Sequence, residues 1–251
     1  MRTALIAGLS LALLLGGCAS PGTATPGNAT SGRPSPVEPS RVDGCVEPGE
    51  GVPADLRESE TSTVTAVRLG SGPRGVVLTP EHGGTICQWL PFGRKLAGRG
   101  YHVLIWDPGF DPVAEIAHFA AVLREAGARR VVLVGASNGA NIATFGAAWT
   151  TPPVDGLAWL SGEDMLYVAG QNGRPVRDAA ARVAVPALLI AGRDDPMHCA
   201  EVAGQLAALM PSTEKRVLIV PGPEHGVRLL TGAAQPAVEQ ALTEFLQART
   251  G

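Results

Sequence analysis

The feature that most constrains the fold of this chain is a series of short, continuous apolar runs separated by helix-like segments. Val76 to Thr79, Val103 to Trp106, Val131 to Val134, Leu157 to Leu160 and Ala187 to Ile190 show almost no alternation of apolar and polar positions. A strand with one wet face alternates; a strand covered on both faces does not. Between these runs lie stretches of helical character: Trp89 to Arg99 closed by Gly100, Pro112 to Ala126 followed by Gly127, and Asn138 to Trp149. Val176 to Arg182, Cys199 to Met210 and Gln235 to Ala248 continue the series. Thr63 to Leu69 alternates as an edge strand does, and Arg216 to Val220 adds a late strand. The alternation predicts an α/β fold: a mainly parallel, doubly wound sheet flanked by helices. In such sheets the reacting groups gather at the carboxyl ends of the strands.

The first residues do not fit that pattern. Arg2 gives a minimal basic start, and Ala4 to Leu15 is an apolar run too short to span a bilayer as a helix. It ends in Leu15-Gly16-Gly17-Cys18, which resembles a bacterial lipobox with Cys18 as the lipidated first residue of the mature protein. A diacylglyceryl cysteine carries two acyl chains, enough for stable attachment to a membrane. Ala19 to Arg41 is rich in Pro, Ser, Thr and Gly and cannot bury enough surface to offset its ordering entropy. The expected organisation is a lipoprotein signal peptide at 1–17, lipidated Cys18 with a disordered tether at 18–41, and one folded domain at 42–251. The expected location is extracytoplasmic, anchored to the cell membrane, or secreted if Cys18 is not lipidated.

The chain has 251 residues and a formal net charge of -3, which gives no basic face for nucleic acid. Outside Cys18 it contains Cys45, Cys87 and Cys199, in a compartment where disulfides persist. Three thiols allow one pair and one leftover, and spacing does not assign the partners. Cys45 lies just after the tether, where a staple would pin the loose start of the domain. The expected pair is Cys45 with Cys87, leaving Cys199 as a small buried residue.

Four strand ends carry candidate chemistry: Glu81-His82-Gly83-Gly84, Gly135-Ala136-Ser137-Asn138-Gly139, Gly192-Arg193-Asp194-Asp195 and Gly222-Pro223-Glu224-His225-Gly226. A G-x-S-x-G sequence between a buried strand and a helix, followed in order by an acid and a histidine, resembles the α/β-hydrolase superfamily. The resemblance runs from about Val64 to Leu246. It implies that Ser137 is a nucleophile on a strained turn, with Gly135 and Gly139 small because the turn crowds them. It implies that His225 is the general base and that an acidic residue orients it. The usual spacing selects Asp195 for that acid; Asp194 and the Glu163/Asp164 pair are the alternatives. Asp195 precedes Pro196 and also reads as a helix N-cap.

The resemblance further implies two backbone donors for an oxyanion: the N–H of Asn138 and that of Gly84, with Gly83 or Thr85 as neighbours of the latter. His82 would organise that loop. The interval between Leu160 and Ala187 is too short for a helical cap, and Met165, Leu166 and Tyr167 are candidates for an acyl-side wall. His198, Cys199, Asp194 and Asp195 make a poor metal set, since adjacent residues rarely point at one ion, and no H-E-x-x-H or paired C-x-x-C is present. No phosphate-binding glycine loop follows a strand, so no cofactor is expected. The expected function is hydrolysis of a small-molecule carboxylic ester through an acyl-enzyme, with an amidase or peptidase on the same residues as one alternative. A retired hydrolase serving as a surface binding module is the other. Oligomeric state is not readable.

Overall fold

The computed structural model describes residues 44–164 and 175–251. The expected signal peptide, Cys18, the tether and the Met165, Leu166 and Tyr167 wall lie outside the described residues. Among the described residues no helix is long and apolar enough to cross a membrane.

The continuous apolar runs become the inner strands of an eight-stranded sheet. In chain order the strands are β1 (Val52–Pro53), β2 (Leu56–Arg57), β3 (Thr63–Val64), β4 (Ala66–Leu69), β5 (Arg74–Thr79), β6 (Tyr101–Trp106), β7 (Arg130–Ala136), β8 (Gly156–Leu160), β9 (Ala187–Gly192) and β10 (Lys215–Val220). The sheet order is β1-β4-β6-β5-β7-β8-β9-β10. From β6 to β10 every neighbouring pair is parallel, while β4 runs antiparallel to β6 and β1 antiparallel to β4. The helices are α1 (Ile86–Gly98), α2 (Pro112–Glu125), α3 (Asn138–Trp149), α4 (Val176–Ala180), α5 (Cys199–Leu209) and α6 (Gln235–Thr250), with a short 3-10 helix at Gly226–Leu230.

The period-2 geometry of each strand divides its side chains between two cores. Val77, Leu133, Leu157, Trp159 and Leu189 pack on one face with α2, α3, α4 and α5. Val76, Leu78, Val132, Val134, Leu160 and Ile190 pack on the other with α1, α6 and the 3-10 helix. Both faces are dry, which is why the strands read as unbroken apolar runs. Each fully buried aliphatic side chain contributes roughly 1.5–3 kcal/mol of transfer free energy.

Two elements depart from expectation. Thr63 to Leu69 is not one strand: Thr63 and Val64 pair with β2, and the chain then enters the main sheet at Ala66. The break falls at Thr65, whose carbonyl accepts from the Asp107 N–H, and Asp55 Oδ1 takes the Ala66 N–H. Helix α1 starts at Ile86, three residues before Trp89, because Thr85 caps it by accepting from the Cys87 N–H. Cys87 on this first turn is bonded to Cys45, closing 42 residues of separation, and Cys199 is a free, buried thiol. Arg94 of α1 adds to the clamp, pairing with Glu50 and donating to the Cys45 carbonyl.

Candidate active site

The candidate site is built on the turn from β7 into α3. Ser137 sits there with φ 52° and ψ -124°, a left-handed conformation that L-residues rarely adopt. Its side chain makes no capping bond to α3, although it occupies the cap position. A serine there merely to start a helix would accept from the first-turn amides. The strain instead lifts the hydroxyl away from the helix.

Crowding explains the glycines beside it. A Cβ on Gly135 would lie 2.0 Å from the Gly139 carbonyl oxygen, and one on Gly139 would lie 2.3 Å from the carbonyl oxygens of both Thr79 and Pro80. No real contact is that close, so β5, the turn and α3 approach one another only through these two positions.

His225 arrives from the loop after β10. Its Nε2 is 2.8 Å from Ser137 Oγ and its Nδ1 is 2.8 Å from Asp195 Oδ2. Asp195 follows β9 and its side chain is fully buried. Its other oxygen accepts the Met197 N–H at 3.0 Å. An ionised carboxylate only accepts, so the Asp195 contact puts the ring proton on Nδ1. Nε2 is then left with a lone pair toward the Ser137 hydroxyl, which donates to it.

The alternative acids fall elsewhere. Asp194 is exposed, with its backbone N–H on the Gly222 carbonyl. Asp164 is paired to Arg177 at 2.6 Å. Glu163 Oε1 lies 3.5 Å from Ser137 Oγ, on the serine and not on the imidazole. Asp195 is not the cap of α5 either: that position belongs to His198, and Asp195 closes a turn by accepting the His198 N–H on its carbonyl.

Asn138 is the first residue of α3, so its N–H is among the donors a helix leaves without an intrahelical partner. Gly84 corrects the sequence expectation. Its N–H donates to the Glu81 carbonyl at 2.9 Å, closing a turn, and is spent there. His82 is exposed.

Glu81 is the residue that sequence reasoning left without a role. Its Oε1 accepts the Val227 N–H at 2.7 Å, two residues past His225, and its Oε2 accepts from Gln88 Nε2 at 2.8 Å. Gly226, between His225 and Val227, has φ 56°, and a Cβ there would strike Glu81 Oε1. The only sequence signal was the glycine after His225.

Beneath the imidazole lies Cys199, with Sγ 3.8 Å from His225 Nδ1 and 3.4 Å from the Ser161 carbonyl. Burial, reinforced by the nearby Asp195 carboxylate, pushes this thiol well above its ordinary pKa, so it stays protonated and donates to Ser161. Asp195, Cys199 and His225 are the one described group close enough together to share a metal ion. Asp195 and His225 already bond each other and the thiol resists ionisation, so these residues do not fit a thiolate metal site.

The chain matches no family model and no curated protein. Solved structures do share its fold. A dienelactone hydrolase of Anabaena variabilis aligns over 80% of this chain and 100% of its own, at 17% identity and a TM-score of 0.65. An esterase of Pyrococcus furiosus aligns over 80% of this chain and 91% of its own, at 16% identity and 0.64. An α/β hydrolase from a lagoon-sediment metagenome aligns over 78% of this chain and 99% of its own, at 15% identity and 0.61. At such identities the likeness defines the fold: the chain has the α/β-hydrolase fold.

Proposed function

We propose that this protein is a serine hydrolase that cleaves small carboxylic esters through an acyl-enzyme. The observation that carries the reading is the relay from Asp195 to His225 to Ser137, two contacts of 2.8 Å ending on a strained serine. The hydrolases and esterases among the structures of like fold support the same reaction class.

Ser137 Oγ attacks the ester carbonyl carbon while its proton passes to His225 Nε2. The imidazolium formed is stabilised by the buried Asp195 carboxylate. The carbonyl electron pair moves onto oxygen, held by the Asn138 N–H at the positive end of α3. The second donor comes from another amide of the loop after β5, since that of Gly84 is engaged. Collapse of the intermediate expels the alkoxide, which takes the proton from Nε2. Water then repeats the sequence in reverse order of groups and frees the acid.

The domain is tethered, on this reading, by lipid on Cys18 through the 18–41 segment. Labelling with radioactive palmitate should mark the wild type and not Cys18→Ala. The hydrolase reading is tested by turnover of p-nitrophenyl esters of graded acyl length. Ester cleavage abolished by Ser137→Ala supports it, and cleavage equal in the two proteins contradicts it.

A further inference from the structure

Glu163 is the feature the reaction scheme does not use. It lies on the loop after β8, with Oε1 3.5 Å from Ser137 Oγ. Ser137 has one hydroxyl proton, and His225 Nε2 takes it at 2.8 Å. The Glu163 carboxylate therefore faces the oxygen that attacks without receiving a proton from it. Among the described residues it makes no ion pair, whereas the neighbouring Asp164 is held by Arg177. The backbone leading to it is held: Ser161 N–H donates to the Ile190 carbonyl, and Gly162 packs on the Trp159 indole so tightly that a Cβ would lie 2.4 Å from Nε1.

The sheet order places Glu163, after β8, across β7 from the loop after β5. The carbonyl oxygen points to Asn138 and the loop after β5, on one side of β7. The leaving group must reach His225 Nε2 to take its proton. With the leaving group drawn to Nε2, the acyl chain is the substituent left to meet Glu163, on the loop after β8 and across β7 from the loop after β5. A reacting carbonyl carbon stands about 3–3.5 Å from the nucleophile before attack, so an atom one or two bonds into the acyl chain comes within reach of Glu163.

We propose that Glu163 is a specificity-determining residue that binds a cationic amine on the acyl group next to the scissile carbonyl. Resting on the serine-hydrolase reading, it makes α-aminoacyl esters the preferred substrate class. An ammonium there satisfies the carboxylate by a charge-assisted bond, and an anionic group in the same place is repelled by Glu163.

The test uses three ethyl esters: glycine ethyl ester and ethyl propionate, which match in size, and the larger ethyl malonate monoanion. Hydrolysis is followed by pH-stat at a pH of about 6.5, where an α-amine is charged. Comparing ratios between wild type and Glu163→Gln cancels the intrinsic reactivity of each ester. The kcat/KM ratio of glycine ester to propionate should fall about ten-fold in Glu163→Gln, and the ratio of malonate to propionate should rise about ten-fold. Glu163→Asp should keep the wild-type order of preference. Ratios that agree within about two-fold between wild type and Glu163→Gln, or an equal loss on all three esters, overturn the assignment while leaving the hydrolase reading intact. Wild type that hydrolyses none of the three and no p-nitrophenyl ester overturns both.

Discussion

Glu81 and Val227 are 146 residues apart in sequence, yet the Glu81 carboxylate accepts the Val227 N–H at 2.7 Å and so ties the loop after β5 to the loop that carries His225. Gln88, in the first turn of α1, holds the other carboxylate oxygen. Glu81 does not touch the imidazole; it positions the backbone two residues beyond it. Glu81→Ala should lower kcat by about 10- to 100-fold with little change in KM, since a small misplacement of a base costs that much. Glu81→Gln keeps an oxygen for Val227 and should recover most of the loss. A rise in KM with kcat untouched would place Glu81 in substrate binding instead.

Asp195 and Asp194 are adjacent, but one is buried against the imidazole and the other is exposed. Asp195→Asn should reduce turnover by three to four orders of magnitude, roughly the cost of holding a base in the wrong tautomer. Asp194→Asn should stay within about two-fold of wild type. Steady-state rates on one p-nitrophenyl ester decide the matter.

Away from the site, Glu115 of α2 is buried and faces Glu58, with its oxygens accepting the Gly109 and Asp111 N–H groups. Burial raises the Glu115 pKa from 4.5 to about 7, and its shared proton lowers that of Glu58. Between pH 4.5 and about 7 the folded protein keeps a proton on Glu115 that the unfolded chain has released. Folding stability contributed by this group therefore falls as pH rises through that window. Glu58 acts in the opposite sense, its contribution being lost as pH falls below the ordinary carboxylate range. Urea midpoints measured across pH 5 to 7.5 (roughly the window set by these directions) should slope downward in wild type and flatten in Glu115→Gln.

The Cys45–Cys87 bond closes a long loop at the start of the domain. Removing it with Cys45→Ser and Cys87→Ser together should cost about 3–4 kcal/mol of unfolding free energy by chain entropy. Ser137, Asp195 and His225 are carried by loops outside the closed segment, so the folded double mutant should keep most of its turnover. Urea titration alongside an ester assay reads both quantities.

Much of the fold is legible in the sequence because each inner strand is buried on both sides and so appears as an unbroken apolar run, as in Val131 to Val134. The order of Ser137, Asp195 and His225 is legible for a related reason: each stands just past a strand, where this topology gathers its loops. What escaped is set by a partner far along the chain in one case and by a local turn in another. Glu81 gains its role from a backbone N–H in another loop, and Gly84 loses its expected role to a turn bond that no residue pattern announces. Glu163 was weighed as an acid for His225, but the loop after β8 carries it to the other end of the relay, beside Ser137. The split at Thr65 depends on Asp107, a contact across the sheet.

If Ser137 is a nucleophile activated by His225, it reacts with a fluorophosphonate in the folded protein, and mass spectrometry maps the adduct. One adduct per chain is expected, on Ser137, strongly slowed in His225→Ala and absent in Ser137→Ala. Folded wild type that takes no label, or that takes it on another residue with Ser137 unmodified, would contradict it.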